Sequence, residues 1–265
     1  MDARTVTGTV LTGHTDGVSG VAFVDLEERP HAVSCSWDGS VRTWDLADGA
    51  ERTVLTHDLA GAAKSIGCAV LDGRPHAVTN HADEVWVWDL GNGDDCTLLS
   101  GHEDWTLDVA CAVLDGRPHA LSSSYDATVR LWDLQERGER LCASTARRHG
   151  DDVLEVGLVE LDGRPHAVTN SWDVRVWDLH SGSERIVLTP DDTGDSVIGV
   201  ACAQVNGRPH AVFVCEDGRV RVWDLESNRR VDEIDLPGLS HPVAFDGSRI
   251  AVGMGEDIVV FDWHR

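Results

Sequence analysis

The stretch VRLWDL, Val129–Leu134, decides the fold. Its Trp-Asp pair returns at Trp44, Trp88, Trp177 and Trp223, each time ending a short apolar run such as VRVWDL. The spacings from one tryptophan to the next are 44, 44, 45 and 46 residues. A sixth, altered copy reads IVVFDWHR, with Phe261 where the tryptophan stands elsewhere. Working outward, a second motif keeps the same register. LDGRPHAVTN occupies 71–80 and, unchanged, 161–170, and related versions start at Leu26, Leu114 and Val205. Each motif proline (Pro30, Pro75, Pro118, Pro165, Pro209) follows an apolar residue by nine positions (Val21, Ile66, Val109, Val156, Val200). A constant offset inside a constant period means one supersecondary unit, copied.

The third unit shows what is copied. TLDVACAVL is followed by a turn at DGR, then PHALSSS, a turn at YDAT, VRLWDL and ERLCASTA. These are four short runs rich in Val, Ala, Leu and Thr, punctuated by Gly, Asp and Pro, which predicts four strands. Several of the runs are apolar on both faces, so both sides of the sheet are covered. A four-stranded sheet covered on both sides and repeated every ~40–45 residues predicts an all-β chain folded as a β-propeller.

The units resemble the WD-repeat propeller family over essentially the whole chain. That family's repeat carries Gly-His ahead of the first strand, Ser or Thr in the second, Asp in the next turn and Trp-Asp ending the third. The first unit has Gly13-His14, Ser34, Asp38 and Trp44; the third has Gly101-His102, Ser122, Asp126 and Trp132. The second offers His57, Thr79, Asp83 and Trp88, and the fourth His149, Thr169, Asp173 and Trp177. Phe213 replaces the Ser/Thr in the fifth, and Gly253 and Phe261 replace Ser/Thr and Trp in the sixth. The resemblance implies that these sets are hydrogen-bonded structural networks within blades. A catalytic Ser-His-Asp site would not be built in four incomplete copies. It also implies closure by the N-terminal strand, whose sequence RTVTGTVLTGH is similar to the fourth-strand segment ERTVLTHD. The expected architecture is one domain over 1–265 with six four-stranded antiparallel blades. Their approximate bounds are 12–58, 59–101, 102–146, 147–190, 191–235 and 236–265 plus 4–11. Seven blades are commoner in the family, so six is a departure. From turn Asp to Trp the distance is six in units 1, 3 and 5 and five, four and four in units 2, 4 and 6.

Composition narrows the function. The formal net charge of −24 argues against nucleic acid or an anionic membrane as the main partner and favours a cationic one. Lys64 is the sole lysine beside many arginines, the bias of high-GC codon usage, and a bacterial source is expected. No apolar run reaches the ~18–20 residues of a membrane span. The start MDARTVTGTVLTGH lacks a basic segment followed by an apolar core, so a cytoplasmic protein is expected. The seven cysteines show no CxxC pair, and Cys68, Cys111 and Cys202 recur at equivalent places as small buried core residues. The five Pro-His histidines (His31, His76, His119, His166, His210) lie on successive sheets ~10 Å or more apart. They cannot converge within the ~2 Å a metal needs, so no metal is expected. Asp-Gly makes a tight turn there and proline stiffens the start of the next strand. No phosphate loop, HExxH or GxSxG motif is present, and neither catalysis nor a cofactor is expected.

What remains is the surface. In the WD-repeat family partners often bind the face carrying the second-to-third-strand turns and the loops before the first strands. The residues just ahead of each turn Asp are Trp37, Ala82, Tyr125, Trp172, Glu216 and Glu256, and Trp105 belongs nearby. The same loops carry Asp16, Asp104, Asp151, Asp152, Asp191, Asp192 and Asp195. Aromatic rings among carboxylates suit a cationic peptide. Trp37, Trp105, Tyr125, Trp172 and Glu216 are therefore the candidate binding residues of a monomeric, non-enzymatic interaction scaffold with a basic protein or peptide partner. One alternative is a hydrolase or lyase at the channel mouth, for which His149, Asp151 and Asp152 are the cluster to inspect. Another is a sensor domain detached from a kinase or NTPase.

Overall fold

A computed structural model describes residues 8–26, 28–56, 63–91, 96–136, 138–144, 155–170, 173–188, 196–236 and 242–263. Six four-stranded antiparallel sheets follow one another along the chain. In the third they are Thr106–Leu114, Arg117–Ser124, Thr128–Asp133 and Gly138–Ser144, ordered from the inside outward. The innermost strand of each sheet touches the innermost strand of the next, and the sixth touches the first. The result is a six-bladed β-propeller. The last blade has strands Val243–Phe245, Arg249–Met254 and Asp257–Asp262 and takes its outer strand from Thr9–Leu11, with Thr9 opposite Val260 and Leu11 opposite Ile258.

The repeated LDGRPH segment is the turn between first and second strands. Asp72, Asp115, Asp162 and Asn206 have φ of 50–51°, and the glycines after them have φ of 69–76°. Positive φ at both central residues is what a two-residue hairpin of matching twist requires. This is why the motif spells Asp-Gly or Asn-Gly.

Between blades the apolar faces form six cores. The valines and leucines of the second blade (Val78, Val85, Val87, Leu99) meet Val109, Ala120, Trp132 and Leu134 of the third. Trp44, Trp88, Trp177 and Trp223 fill the corresponding layers, and Phe261 and Trp263 fill the one between the fifth and sixth blades. The motif tryptophan is thus the plug between its own blade and the preceding one.

Around the axis the first strands leave an open channel, which changes the place expected for the cysteines. Cys68, Cys111 and Cys202 are half-buried and pack on the inner edges of the interblade cores, because their strands line the channel wall. The Cys111 sulfur lies against Gly67 of the preceding blade, where a Cβ would stand 2.7 Å away. Cys35, Cys68, Cys96, Cys111, Cys202 and Cys215 are free thiols.

The alternation in turn length also acquires a structure. The first strands of blades 1, 3 and 5 carry a register shift (Val18/Gly20, Thr106/Asp108, Val197/Gly199), and those of blades 2 and 4 pair without one. In the odd blades the turn residue bonds the loop of its own blade: Trp37 N–H to Gly17 O, Tyr125 N–H to Trp105 O and Glu216 N–H to Ser196 O. The short turns of blades 2 and 6 instead accept from the next blade, with Thr106 N–H on Ala82 O and Val18 N–H on Gly255 O. Asn80 and Asn170 add side-chain amide bonds to Thr106 O and Val197 O. Blades 2 and 3, 4 and 5, and 6 and 1 are therefore stapled pairwise. Among the described residues no helix is long and apolar enough to cross a membrane.

Candidate partner-binding face

The networks beneath the face differ from blade to blade. In the first, His14 Nε2 meets Ser34 Oγ at 2.7 Å, its Nδ1 meets Asp38 Oδ2 at 2.9 Å, and Trp44 Nε1–H donates to Ser34 Oγ at 2.9 Å. The third repeats this with His102, Ser122, Asp126 and Trp132 at 2.8, 2.8 and 2.9 Å. Burial pushes the Asp126 carboxyl up, but bonds from the Thr128 hydroxyl, the Glu103 N–H and His102 outweigh it and hold the group down at about 2. Burial lowers His14 despite its Asp38 partner.

The second blade departs from the expected set. Trp88 Nε1–H donates to Thr79 Oγ1 at 2.8 Å, but Asp83 does not join: it is exposed. The shortened turn carries its carboxylate outward, and His81 of the same strand reaches Thr79 at 3.2 Å. In the fourth blade Trp177 bonds Thr169 at 2.7 Å, while Asp173 receives a bidentate pair from Arg175 at 2.9 and 2.8 Å. His57 and His149 lie outside the described residues. The fifth blade, with Phe213 in place of the hydroxyl, buries Arg221 in a fork on Asp217 at 3.1 and 2.5 Å and bonds Glu233 at 3.0 Å.

At the opposite ends of the same strands, the Pro-His histidines find a role that the sequence left open. Each turns Nδ1 to the carbonyl of the motif arginine two residues back, at 3.0 Å in all five blades. That arginine pairs with the aspartate of Trp-Asp: Arg29 with Asp45 (3.2 Å), Arg74 with Asp89 (3.4 Å), Arg117 with Asp133 (3.0 Å), Arg164 with Asp178 (3.4 Å) and Arg208 with Asp224 (2.9 Å).

On the face itself Trp37, Trp105 and Tyr125 are 52 %, 54 % and 45 % exposed. Ala82, Glu216 and Glu256 are exposed at the equivalent turns, as are Asp16 and Asp104 in the loops. Trp172, Asp151, Asp152, Asp191, Asp192 and Asp195 lie outside the described residues. Trp37 stands over Gly17, where a Cβ would lie 3.4 Å from the indole. Trp105 is already in company, with the Lys64 ammonium 4.7 Å from its ring centroid.

Below the rings the channel opens into a cavity of 590 Å³ whose lining includes Trp37, Lys64, Ser65, Asp108 and Glu155. Gly20, Ser65, Asp108, Glu155 and Gly199 stand at one level on successive first strands, each just before the apolar residue that sets the register. Ser65 donates to Asp108 Oδ1, and the N–H groups of Val109 and Val156 reach its two oxygens at 2.8 and 2.7 Å. One carboxyl thus links blades 2, 3 and 4. Burial, with Glu155 adding, pushes that carboxyl well above the usual range. The sequence pointed to none of this arc, although Asp108 interrupts an apolar run. Among the described residues no group of three or more His, Cys, Asp or Glu is placed to hold a metal.

Comparison with known proteins agrees with this geometry. The family model for the WD domain, G-beta repeat, matches residues 5–45 and 93–133. A ribosome biogenesis protein WDR12 homolog of Nematostella vectensis is 28 % identical over 129 residues, 46 % of this chain and 29 % of that protein. The nuclear distribution protein PAC1 of Arthroderma otae is 34 % identical over 131 residues, 47 % of this chain and 28 % of its own length. The small ribosomal subunit protein RACK1 of Drosophila melanogaster is 27 % identical over 122 residues, 46 % of this chain and 36 % of its own. The matched region is therefore about a third or less of each relative's length. These relatives are eukaryotic. The solved structure of U3-55K superposes with a TM-score of 0.71 at 15 % identity, covering 97 % of this chain and 98 % of that one, a likeness of fold. The chain is therefore a six-bladed β-propeller in which two segments, 5–45 and 93–133, match the repeat of the WD domain.

Proposed function

We propose that this propeller is a non-enzymatic interaction scaffold whose partner is a basic protein or peptide bound on the face of Trp37, Trp105, Tyr125 and Glu216. The observation that carries this reading is the exposure of three large aromatic rings on one face. Exposed rings beside carboxylates attract ammonium and guanidinium groups, and desolvated aromatics dominate binding energy at interfaces. The net charge of −24 steers cationic partners in and keeps nucleic acid out. The relatives are named for ribosome biogenesis, nuclear distribution and the small ribosomal subunit, which supports a shared platform rather than a shared process. The ring works as a monomer inside the cell.

Catalysis at the channel mouth is the weaker reading. Asp108 is the strongest candidate base, and both its oxygens are taken by Ser65, Val109 and Val156. Its chemistry is used up in joining blades. The test is capture of partners from lysate by the protein and by a Trp37→Ala/Trp105→Ala/Trp172→Ala variant. Loss of the captured protein from the variant supports the face; identical capture by both removes it.

A further inference from the structure

Lys64 is the chain's sole lysine, and its place is unusual. It sits in the loop ahead of the second blade's first strand, while Trp105 sits in the same loop of the third. Their contact therefore crosses a blade seam. The ammonium stands 4.7 Å from the indole centroid and, among the described residues, meets no carboxylate. Lys64 also lines the 590 Å³ cavity beside Ser65 and Asp108. Asp108 is 6 % exposed and bonded only to neutral donors, the Ser65 hydroxyl and the Val109 and Val156 N–H groups. The Asp108 carboxyl thus lines the same cavity as Lys64.

We propose that Lys64 is a displaceable internal ligand of Trp105, occupying the ring face that a cationic group of the partner takes on binding. This rests on the reading of the aromatic face given above and adds its regulation. In the free protein the tethered ammonium covers the indole. When a guanidinium or ammonium arrives, Lys64 leaves the ring and swings toward the channel and Asp108. The incoming and displaced charges are alike, so the exchange keeps the ring occupied. An internal competitor lowers the apparent affinity for the external one by the fraction of protein it holds closed. The face is thereby tuned against weak, incidental cations, which the net charge of this chain otherwise gathers in quantity.

A sole lysine makes the test direct, because ¹³C-lysine labelling gives one spin system. The Lys64 ε-methylene protons are expected upfield of the random-coil position in the free protein, shifted by the Trp105 ring current. Tetra-arginine amide should return them to it, and tetra-glutamate should leave them in place. Lys64→Gln should tighten tetra-arginine binding by about fivefold, the worth of one ordinary cation–π contact. In a Trp105→Leu background that gain should vanish. A gain that persists there means Lys64 acts by simple charge repulsion and overturns the proposal. So does a random-coil Lys64 signal in the free protein, or tetra-arginine binding that leaves the signal unmoved; in that last case the aromatic face survives and only the latch fails. If tetra-arginine binds neither the protein nor Lys64→Gln, the face takes no cation and both readings fall together.

Discussion

Arg117 and Asp133 meet across the second and third strands of the third blade, guanidinium to carboxylate at 3.0 Å. The Arg-Pro-His and Trp-Asp motifs, 16 residues apart from Arg117 to Asp133, are therefore two halves of one device. The other carboxylate oxygen, Asp133 Oδ1, accepts the N–H groups of Gln135 and Glu136 at 3.0 and 3.1 Å and so shapes the next turn. The proline between Arg117 and His119 contributes its carbonyl, which accepts from Leu134 N–H at 3.2 Å.

The two halves of that device carry unequal weight. Asp133 is buried and satisfies two turn N–H groups, whereas Arg117 is partly exposed and also has Glu136 for company. Asp133→Ala should cost about 1–3 kcal/mol, the loss of bonds to a buried charged acceptor. Arg117→Ala should cost about 1 kcal/mol or less, as surface ion pairs do. Urea unfolding of both variants checks the order.

Tryptophans divide in the same way. Trp132 is 1 % exposed and plugs the layer between the second and third blades, so Trp132→Ala should cost about 3–5 kcal/mol. Trp105 is on the surface, and Trp105→Ala should change stability by no more than about 0.5 kcal/mol. Thermal melts of the two variants side by side measure the difference.

Asp126 gives a dependence on pH. Its folded-state pKa of about 2 lies below the ordinary carboxylate value of 3.8. A depressed carboxyl contributes stability that is fully present above the unfolded value and is lost as pH falls through the folded one. The stability advantage of the protein over Asp126→Asn should therefore be constant above pH ~4.5 and shrink between pH ~4 and ~2. Denaturant midpoints across that range provide the reading. An advantage that grows on acidification contradicts the assigned network.

The blades were legible in the sequence because their register is set by positions that accept few residue types. Asp-Gly answers a demand for positive φ at two successive positions, and the motif tryptophan answers a demand for volume between blades. The networks of the first and third blades were legible for the same reason. That of the second was not, since a turn shorter by one residue sends Asp83 outward, and a histidine of the second strand itself, His81, reaches Thr79. The fifth solved the loss of its hydroxyl by burying Arg221, the arginine of its own VRVWDL run, on Asp217. Ser65, Asp108 and Glu155 were hidden for a different reason. They lie 43 to 47 residues apart in sequence, outside every motif, and only the closed ring brings their strands side by side. The Lys64–Trp105 contact crosses a seam in the same way.

The claim at the centre of this account is that the exposed rings, and not the repeated networks beneath them, select the partner. The most direct measurement is the Kd of a purified captured partner for the protein and for a Trp37→Ala/Trp105→Ala/Tyr125→Ala variant whose melting temperature matches it. The account predicts a loss of about 100-fold or more, as expected when clustered aromatic anchors are removed. An unchanged Kd with unchanged stability contradicts it.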